Sequence, residues 1–247
     1  EESPLVGRYG SGTVFIANCN LSCIFCQNSE ISHEGRGDLV NAEQLAIIML
    51  ALQNRGCHNV NLVSPTHVVP QILEALVLAV EKGLRVPLVY NSGGYDALET
   101  LQLLDGVVDI YMPDMKYSDD QIAKKLSGVS GYVPANRAAV KEMHRQVGDL
   151  EVDERGIAVR GLLVRHLVLP GDLAGTEQTA SFLAQQISPN SYLNVMDQYR
   201  PCFRAFGHPQ IGRRITRDEY QQAIAMAKAA GLTRLDSCRS YRFPPLL

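Results

Sequence analysis

Short apolar runs rich in β-branched residues alternate along the chain with longer segments in which apolar positions recur at helical spacing. This alternation is typical of βα units built around a parallel sheet. The pattern predicts six strands, at 13–17, 59–63, 86–90, 109–112, 162–169 and 192–196. We therefore expect an α/β protein with six βα repeats, although the sequence itself does not repeat.

Capping residues and turn residues mark where several of the helices begin and end. Asn41 with Gln44 and Thr216 with Glu219 form capping pairs ahead of helical apolar patterns. The longest connection lies between the fourth and fifth strands and contains two helical stretches, at 120–126 and 135–147. It ends with Asp153 to Gly156, which predicts the turn of a hairpin. This connection is interpreted as an elaboration on the core.

Composition adds few constraints beyond a globular fold. The 247 residues are 46% hydrophobic and 20% charged, which suits one domain spanning 1–247. The net charge of -3 gives no reason to expect nucleic acid as a partner. No apolar run reaches the roughly 18 residues of a membrane helix, and no secretory signal is visible, so we expect a cytoplasmic protein without a membrane partner. The chain opens at Glu1 without methionine, which leaves room for further N-terminal sequence.

The six cysteines are unevenly distributed. Three fall within eight residues, whereas Cys57, Cys202 and Cys238 are scattered. A secreted disulfide framework would be denser for this length, so the clustering favours metal or redox chemistry in a reducing compartment. The cluster directly follows the first strand, where the carboxyl ends of parallel strands collect catalytic groups.

The segment CNLSCIFC places thiols at i, i+4 and i+7, on Cys19, Cys23 and Cys26. Thiolates are the usual ligands of iron-sulfur clusters, and three on one loop hold three irons of a cubane while the fourth iron stays open to a ligand. The alternative is a zinc-binding module without catalysis, in which His33 completes a Cys3His shell. Zinc sites more often combine two short knuckles, so the spacing favours the iron-sulfur interpretation.

This spacing resembles the radical S-adenosylmethionine (SAM) superfamily very specifically. From GSGTVFIANCNLSCIFCQN to the final helix, the chain is similar to the branch related to the pyruvate formate-lyase activating enzyme. The resemblance implies a partial (β/α)6 TIM-like barrel that binds a [4Fe-4S] cluster and S-adenosyl-L-methionine. In this superfamily the open iron takes the amino and carboxylate groups of SAM, and the reduced cluster splits SAM into a 5′-deoxyadenosyl radical.

The resemblance also implies SAM contacts near the first two strands. Phe25, just before the third cysteine, matches an aromatic residue that packs near the adenine. After the second strand, relatives carry Gly-Gly-Glu, whose acid meets the SAM amino group, but this chain has Ser64, Pro65, Thr66 and His67. Hydroxyls, a carbonyl or His67 would then accept those hydrogen bonds. A loop histidine with a purely local partner is an equally weighted alternative.

Further SAM contacts are implied at the ends of the later strands. Asn91 and Ser92, followed by two glycines, match a loop that lies against the methionyl end of SAM, although a plain turn explains the glycines almost as well. Asp114 would accept a ribose hydroxyl or help to hold a cation, and Lys116 would pair with the SAM carboxylate; the alternative is a surface ion pair.

The last two strands supply three more candidates. Arg165 matches a cofactor-facing arginine, and its burial would require a charged ligand or a carboxylate partner. The sixth strand ends in Asp197 and Gln198, and the alternation of side chains along a strand does not decide between them. Cys202 would face the cavity as a thiol or serve as a small buried hydrophobe.

The predicted function is hydrogen abstraction from a substrate that the sequence does not name. The family analogy suggests a glycyl residue of a partner protein, and a small molecule or peptide is the alternative. An external electron donor such as flavodoxin or ferredoxin is implied, because the cluster must be reduced before SAM is cleaved.

Overall fold

The computed structural model describes residues 2–236, which form one mixed sheet with helices against it. The strands are β1 Gly12–Phe15, β2 Val60–Val63, β3 Leu88–Ser92, β4 Ile110–Pro113, β5 Glu151–Val152, β6 Ala158–Leu167, β7 Tyr192–Met196 and β8 Leu235–Asp236. Their order is β1-β2-β3-β4-β6-β7-β8, with every neighbouring pair parallel, and β5 pairs antiparallel with β6. The edges β1 and β8 are not paired with each other, so the predicted partial α/β barrel is confirmed.

The described residues form nine α-helices, two of which begin at the predicted capping pairs. They are α1 Ser3–Val6, α2 Ser29–Ser32, α3 Ala42–Asn54, α4 Val69–Glu81, α5 Leu98–Gln102, α6 Asp120–Ser127, α7 Tyr132–Val147, α8 Thr176–Phe182 and α9 Arg217–Ala229. A π-helical turn at Leu183–Ile187 continues α8. The capping boxes of Asn41 with Gln44 and of Thr216 with Glu219 are both formed, which confirms the predicted starts of α3 and α9.

Three features of the sheet differ from the prediction. A seventh parallel strand, β8, follows α9, and its two residues are too few to show a periodic pattern. Strand β6 begins at Ala158 because it also forms one arm of the predicted hairpin. Strand β3 begins at Leu88, two residues later than predicted, directly after Pro87, which has no backbone N–H to donate to a ladder.

The two faces of the sheet bury different sets of side chains. Alternate residues such as Val60, Leu62 and Tyr90 belong to the large core between the sheet and the helices. The intervening residues point to the inside of the barrel, as alternation along a strand requires. Near the beginning of the strands this inner face is mostly apolar, with Asn61 beside Val89 as an exception, and Leu5 of α1 packs there against Val89, Ile110, Met112 and Leu163. The α1 helix therefore fills the bottom of the open barrel.

The inner face becomes polar towards the carboxyl ends of the strands. Asn91 of β3, Asp114 just after β4 and Arg165 of β6 lie one or two positions beyond the apolar layer. Apolar side chains thus close the lower half of the barrel and leave the upper half for chemistry. Within residues 2–236, no helix is both long enough and apolar enough to cross a membrane.

Candidate active site

The loop that carries the three clustered cysteines is fixed by backbone hydrogen bonds to its neighbours. Asn18 leaves β1 with a positive φ of 68°, a conformation that asparagine adopts more readily than most residues. The N–H groups of Ser22 and Ile24 then donate to the carbonyls of Ser127 and Leu126 at the end of α6, each at 2.9 Å. The position of the cysteine loop is therefore set by α6 as well as by the strand before it.

Each of the three thiols lies beside a hydrogen-bonding partner. The Leu21 N–H donates to Sγ of Cys19 at 3.4 Å. The hydroxyl of Ser127 is 2.9 Å from Sγ of Cys23, and that of Ser32 is 3.1 Å from Sγ of Cys26. Hydrogen bonds to cluster sulfurs tune an iron-sulfur centre, so this surrounding fits thiolate ligands.

Burial raises the pKa of Cys23 to about 11, although the nearby Lys116 ammonium opposes this shift. A thiolate at this position therefore needs a cationic neighbour or a metal ion for stabilisation.

The geometry fits a cubane better than a zinc ion. No group of three or more His, Cys, Asp or Glu side chains in residues 2–236 converges on one metal position. In a [4Fe-4S] cubane each thiolate binds a different iron, so the sulfurs need not converge, whereas tetrahedral zinc requires it. His33, the fourth ligand of the zinc alternative, contacts the carbonyl of Cys23 at 3.1 Å and stacks on Phe203 instead.

Two cavities meet at the cysteine loop. The first, of about 110 Å³, is lined by all three cysteines together with residues from the ends of β1 to β4 and β6. The second, of about 210 Å³, lies beside Phe25, Met196 and Gln198. Cys23 and Cys26 line both cavities, and so do three charged residues, Asp114, Lys116 and Arg165. The predicted strand ends are thus brought together around one site.

Asp114 is the centre of a buried ion-pair network in this site. It is 8% exposed, and its carboxylate accepts hydrogen bonds from Nζ of Lys116 and, at 2.8 Å, from Nε of Arg165. Arg165 also donates to Oδ1 of Asn91 at 2.8 Å, and its Nη1 is 3.6 Å from the carboxylate of Glu2. Although burial alone would raise it, the two cations hold the pKa of Asp114 below its usual range.

This network gives two of the charged residues predicted from the sequence a structural role as well. Lys116 and Arg165 were predicted to face the cofactor, and both do line the cavities, but each also pairs with Asp114. The surface ion pair considered as an alternative is wrong about location, because Asp114 is buried and both of its partners are half-buried. Glu2 could not have been assigned from the sequence, since α1 brings it to Arg165 across the barrel.

The glycines after β3 are required by packing within the protein. Gly94 has a φ of 70°, and a Cβ there would overlap the amide of Asn136 and the carbonyl of Asp114. A Cβ on Gly93 would overlap the side chain of Leu21 in the cysteine loop. The two glycines therefore let the β3 and β4 loops and the cysteine loop approach one another closely.

Behind these loops lies a buried carboxylate that sequence reasoning missed. Asp96 is 5% exposed and accepts hydrogen bonds from the hydroxyls of Thr66 at 2.7 Å, Ser92 at 2.7 Å and Tyr90 at 2.9 Å. Burial raises the pKa of Asp96 above its usual range. Thr66 and Ser92, predicted as SAM ligands, thus direct their hydroxyl hydrogens to Asp96. Nothing in the sequence pattern distinguishes Asp96 from a surface acid before a helix.

We expect Asp96→Ala to lower the free energy of unfolding by about 3 kcal/mol, because three buried hydroxyls lose a charged acceptor. It should also weaken SAM binding, because the loops after β2 and β3 lose their common anchor. Urea denaturation and calorimetric titration of SAM measure the two effects. Glu99→Ala is the control, since Glu99 is exposed in the neighbouring α5. Equal behaviour of the two variants would contradict this role for Asp96.

Of the remaining site residues predicted from the sequence, some line one of the two cavities and others do not. Ser64 lines the first cavity, and its φ of 58° is unusual for a residue other than glycine. Phe25 and Gln198 line the second cavity. His67 is exposed and hydrogen bonds to the carbonyl of Ala17 at 2.9 Å, which is the local alternative considered for it. Asp197 is exposed and lines neither cavity, so the structure favours Gln198 of this pair.

The other cysteines lie away from these cavities or outside the described residues. Cys57 follows α3 and precedes β2, so it belongs to the opposite end of the sheet. Cys202 is half-buried and lines neither of the two cavities. Cys238 lies outside the described residues.

Known proteins share the family and the fold of this chain. The model of the radical SAM superfamily matches residues 13–182. The uncharacterized protein MJ0674 of Methanocaldococcus jannaschii is 32% identical over 232 residues, which cover 90% of this chain and 63% of that protein. The chain thus spans less than two thirds of that relative.

Solved structures share the fold at low sequence identity. The hydrogenase maturase HydG from Carboxydothermus hydrogenoformans has a TM-score of 0.61 and 12% identity, over 91% of this chain and 52% of that one. Streptococcus suis SuiB, solved with its precursor peptide SuiA, has a TM-score of 0.61 and 13% identity, over 91% and 47%. The match to the family model and the cysteine loop at the carboxyl edge of an open barrel lead to one conclusion: the chain belongs to the radical SAM superfamily, whose enzymes bind SAM and a [4Fe-4S] cluster.

Proposed function

We propose that Cys19, Cys23 and Cys26 hold the [4Fe-4S] cluster and that the chain uses SAM to abstract hydrogen from a substrate. The observation that carries this proposal is the presence of all three thiols on one cavity wall beside a buried ion-pair network. When bound, the cluster and SAM supply the 5′-deoxyadenosyl radical. The protein supplies orientation and the exclusion of water.

The residues of the site have separate tasks in this proposal. Lys116 lies between Asp114 and the cysteine loop, where its ammonium group suits the carboxylate of SAM. Arg165 holds Asp114 and Asn91 in place at the cavity wall. Ser64 provides a hydroxyl and a strained backbone turn at the position where relatives carry a glycine-rich motif. Phe25 and Gln198 form the wall of the second cavity, which suits the adenine end.

We propose that the substrate is a polypeptide. By analogy with the activating enzymes that the sequence resembles, the reacting group would be a glycyl residue of a partner protein. Within residues 2–236, β1 and β8 are not paired with each other, so this part of the chain leaves one side of the barrel open to an extended substrate that a closed barrel would exclude. On β1, Phe15 is 50% exposed and also lines the first cavity, which offers an apolar contact at this opening. A glycyl radical is stabilised by its flanking amides, and the reacting carbon must lie in near contact with the radical.

A peptide modifier is the second candidate. SuiB shares the fold and was solved with a precursor peptide, which supports peptide access to such a barrel. A small metabolite remains the third class of substrate, and the same assay distinguishes all three.

The test is anaerobic incubation of the reconstituted enzyme with SAM, a strong reductant and candidate partners. We expect 5′-deoxyadenosine to form, and its yield to rise when a protein fraction from the same cells is added. Mass spectrometry of that fraction should show a modified peptide, whereas a stable glycyl radical should give an electron paramagnetic resonance signal. Stimulation by a metabolite fraction alone would exclude a polypeptide substrate. A colourless protein with one zinc per chain would exclude the radical mechanism itself.

A further inference from the structure

A run of exposed arginines extends from the end of β7 to the first residue of α9. Residues 198–217 contain five arginines and neither aspartate nor glutamate, although the whole chain has a net charge of -3 and Asp197, Asp218 and Glu219 directly flank the run. All five are exposed: Arg200, Arg204, Arg213, Arg214 and Arg217. Arg213 pairs with Glu219 at 2.7 Å, and none of the other four forms an ion pair within residues 2–236. We call residues 198–217 the arginine segment.

The arginine segment is attached directly to the cysteine loop. The N–H of Arg204 donates to the carbonyl of Ile24, between the second and third cluster cysteines, at 2.9 Å. The Phe203 ring stacks on His33 at 4.8 Å, and Phe203 holds a φ of 51°, which is unusual for a bulky residue. Ala205 and Ile211 share one buried apolar cluster with Cys23 and Phe25. The segment therefore covers the outer side of the loop that holds the cluster.

The end of α6, which also contacts the cysteine loop, is basic as well. Leu126, which accepts the hydrogen bond from Ile24, is preceded by the exposed Lys124 and Lys125. Nζ of Lys125 donates to Oε1 of Gln210 in the arginine segment, so the two basic elements are connected. Positive side chains from two elements that hydrogen bond to the cysteine loop are thus exposed at the protein surface.

These charges do not face the cavities. None of the five arginines, nor Lys124 or Lys125, lines either cavity at the site. A surface of this kind attracts an anionic macromolecule rather than the substrate that enters the barrel. Among anionic macromolecules, the position favours one that must come close to the cluster, because electron transfer slows steeply with distance.

We propose that the arginine segment, with Lys124 and Lys125, is the docking surface for an acidic electron-carrier protein. This inference rests on the proposed function, since it assigns the partner that reduces the same cluster. In the step, the carrier loses one electron and the cluster gains it, and no bond forms or breaks. The acidic surface of the carrier lies against the arginines and places its cofactor beside residues 22–26.

The test compares two variants with the same change in charge. One carries Arg200→Gln, Arg214→Gln and Arg217→Gln. The control carries Arg55→Gln, Lys82→Gln and Lys228→Gln, three exposed residues at the helix ends on the opposite side of the sheet. Each is reconstituted and mixed with SAM and either a reduced acidic flavodoxin or reduced methyl viologen, a small cation that the arginines do not attract. Cluster reduction and 5′-deoxyadenosine are followed, and flavodoxin affinity is measured by calorimetry on cluster-free protein.

We expect the segment variant to be reduced by flavodoxin at least about tenfold more slowly than the native chain at low salt, with a similar loss of affinity. Its rate with methyl viologen should be unchanged, and the control should match the native chain with both reductants. An equal flavodoxin rate and affinity in both variants would overturn the proposal, as would a native chain that only methyl viologen reduces. Loss of RNA binding without loss of flavodoxin-dependent reduction would instead assign the surface to nucleic acid. Absence of 5′-deoxyadenosine with either reductant would count against the proposed function itself.

Discussion

Cys23→Ala is expected to abolish cluster assembly and all cleavage of SAM. A cubane held by three thiolates of one short loop has no spare protein ligand, and Cys23 is the most deeply buried of the three. After anaerobic reconstitution, iron should fall from about four per chain to near zero. The yield of 5′-deoxyadenosine should fall with it. The expected loss of folding stability is only about 1 kcal/mol, because the change removes one sulfur atom.

Cys57→Ala is the matched control for this experiment. Cys57 is half-buried, lies at the opposite end of the sheet and takes no part in the site. That variant should keep its iron, its colour and its rate of SAM cleavage. Circular dichroism should show that both variants are folded. A Cys23→Ala protein that retained iron and still produced 5′-deoxyadenosine would refute the ligand assignment.

Asp114→Asn should lower the free energy of unfolding by about 3–5 kcal/mol. The change leaves the half-buried Arg165 and Lys116 without their shared counter-charge, and among the acids of residues 2–236 only Glu2 remains near the guanidinium, at 3.6 Å. Urea denaturation of the cluster-free protein measures the effect without a contribution from bound iron. The prediction would be wrong if the free energy of unfolding of Asp114→Asn lay within about 1 kcal/mol of that of the native chain. The network would then stabilise the fold no more than an exposed ion pair does.

The matched variant is Lys116→Met, which leaves the pair of Asp114 with Arg165 intact. Its stability loss should be clearly smaller than that of Asp114→Asn, and its iron content should be normal. Its affinity for SAM should weaken by about 1–3 kcal/mol if a charge-assisted hydrogen bond to the SAM carboxylate is lost. Calorimetric titration of the reconstituted variant checks this, and unchanged affinity would restrict Lys116 to the ion pair.

The contribution of Asp114 to folding stability also depends on pH. Because the folded-state pKa is below its usual range, the stabilisation is present above the unfolded-state pKa of about 3.9 and is lost as pH falls through the folded value. The difference in stability between the native chain and Asp114→Asn should therefore be constant near neutral pH and shrink in acid. A difference that grows towards acid pH would contradict the sign of this shift.

Periodicity and capping residues predicted which helices and strands form more accurately than the residues at which they begin and end. The capping boxes at Asn41 and Thr216 were readable because the helix termini are satisfied by residues three positions apart in sequence. Strand β8 was missed because two residues cannot show a period, and it forms only by pairing with β7. The expectation that polar residues at the ends of parallel strands form the site found most of its members, but it did not include Asp96, which lies behind the loops.

The order of βα units, the cysteine loop after the first strand and the group of polar residues at the strand ends could all be predicted from the sequence. These features follow from periodicity, capping and motif spacing, which are local properties of the chain. Which charges meet could not be predicted in this way and became visible only in the folded chain. Glu2 reaches Arg165, and Arg165 reaches Asp114, because the curvature of the open barrel brings β4, β6 and α1 together. Pairings of this kind depend on distances across the fold, and the free energy of burying each charge is set by the partner that the fold provides.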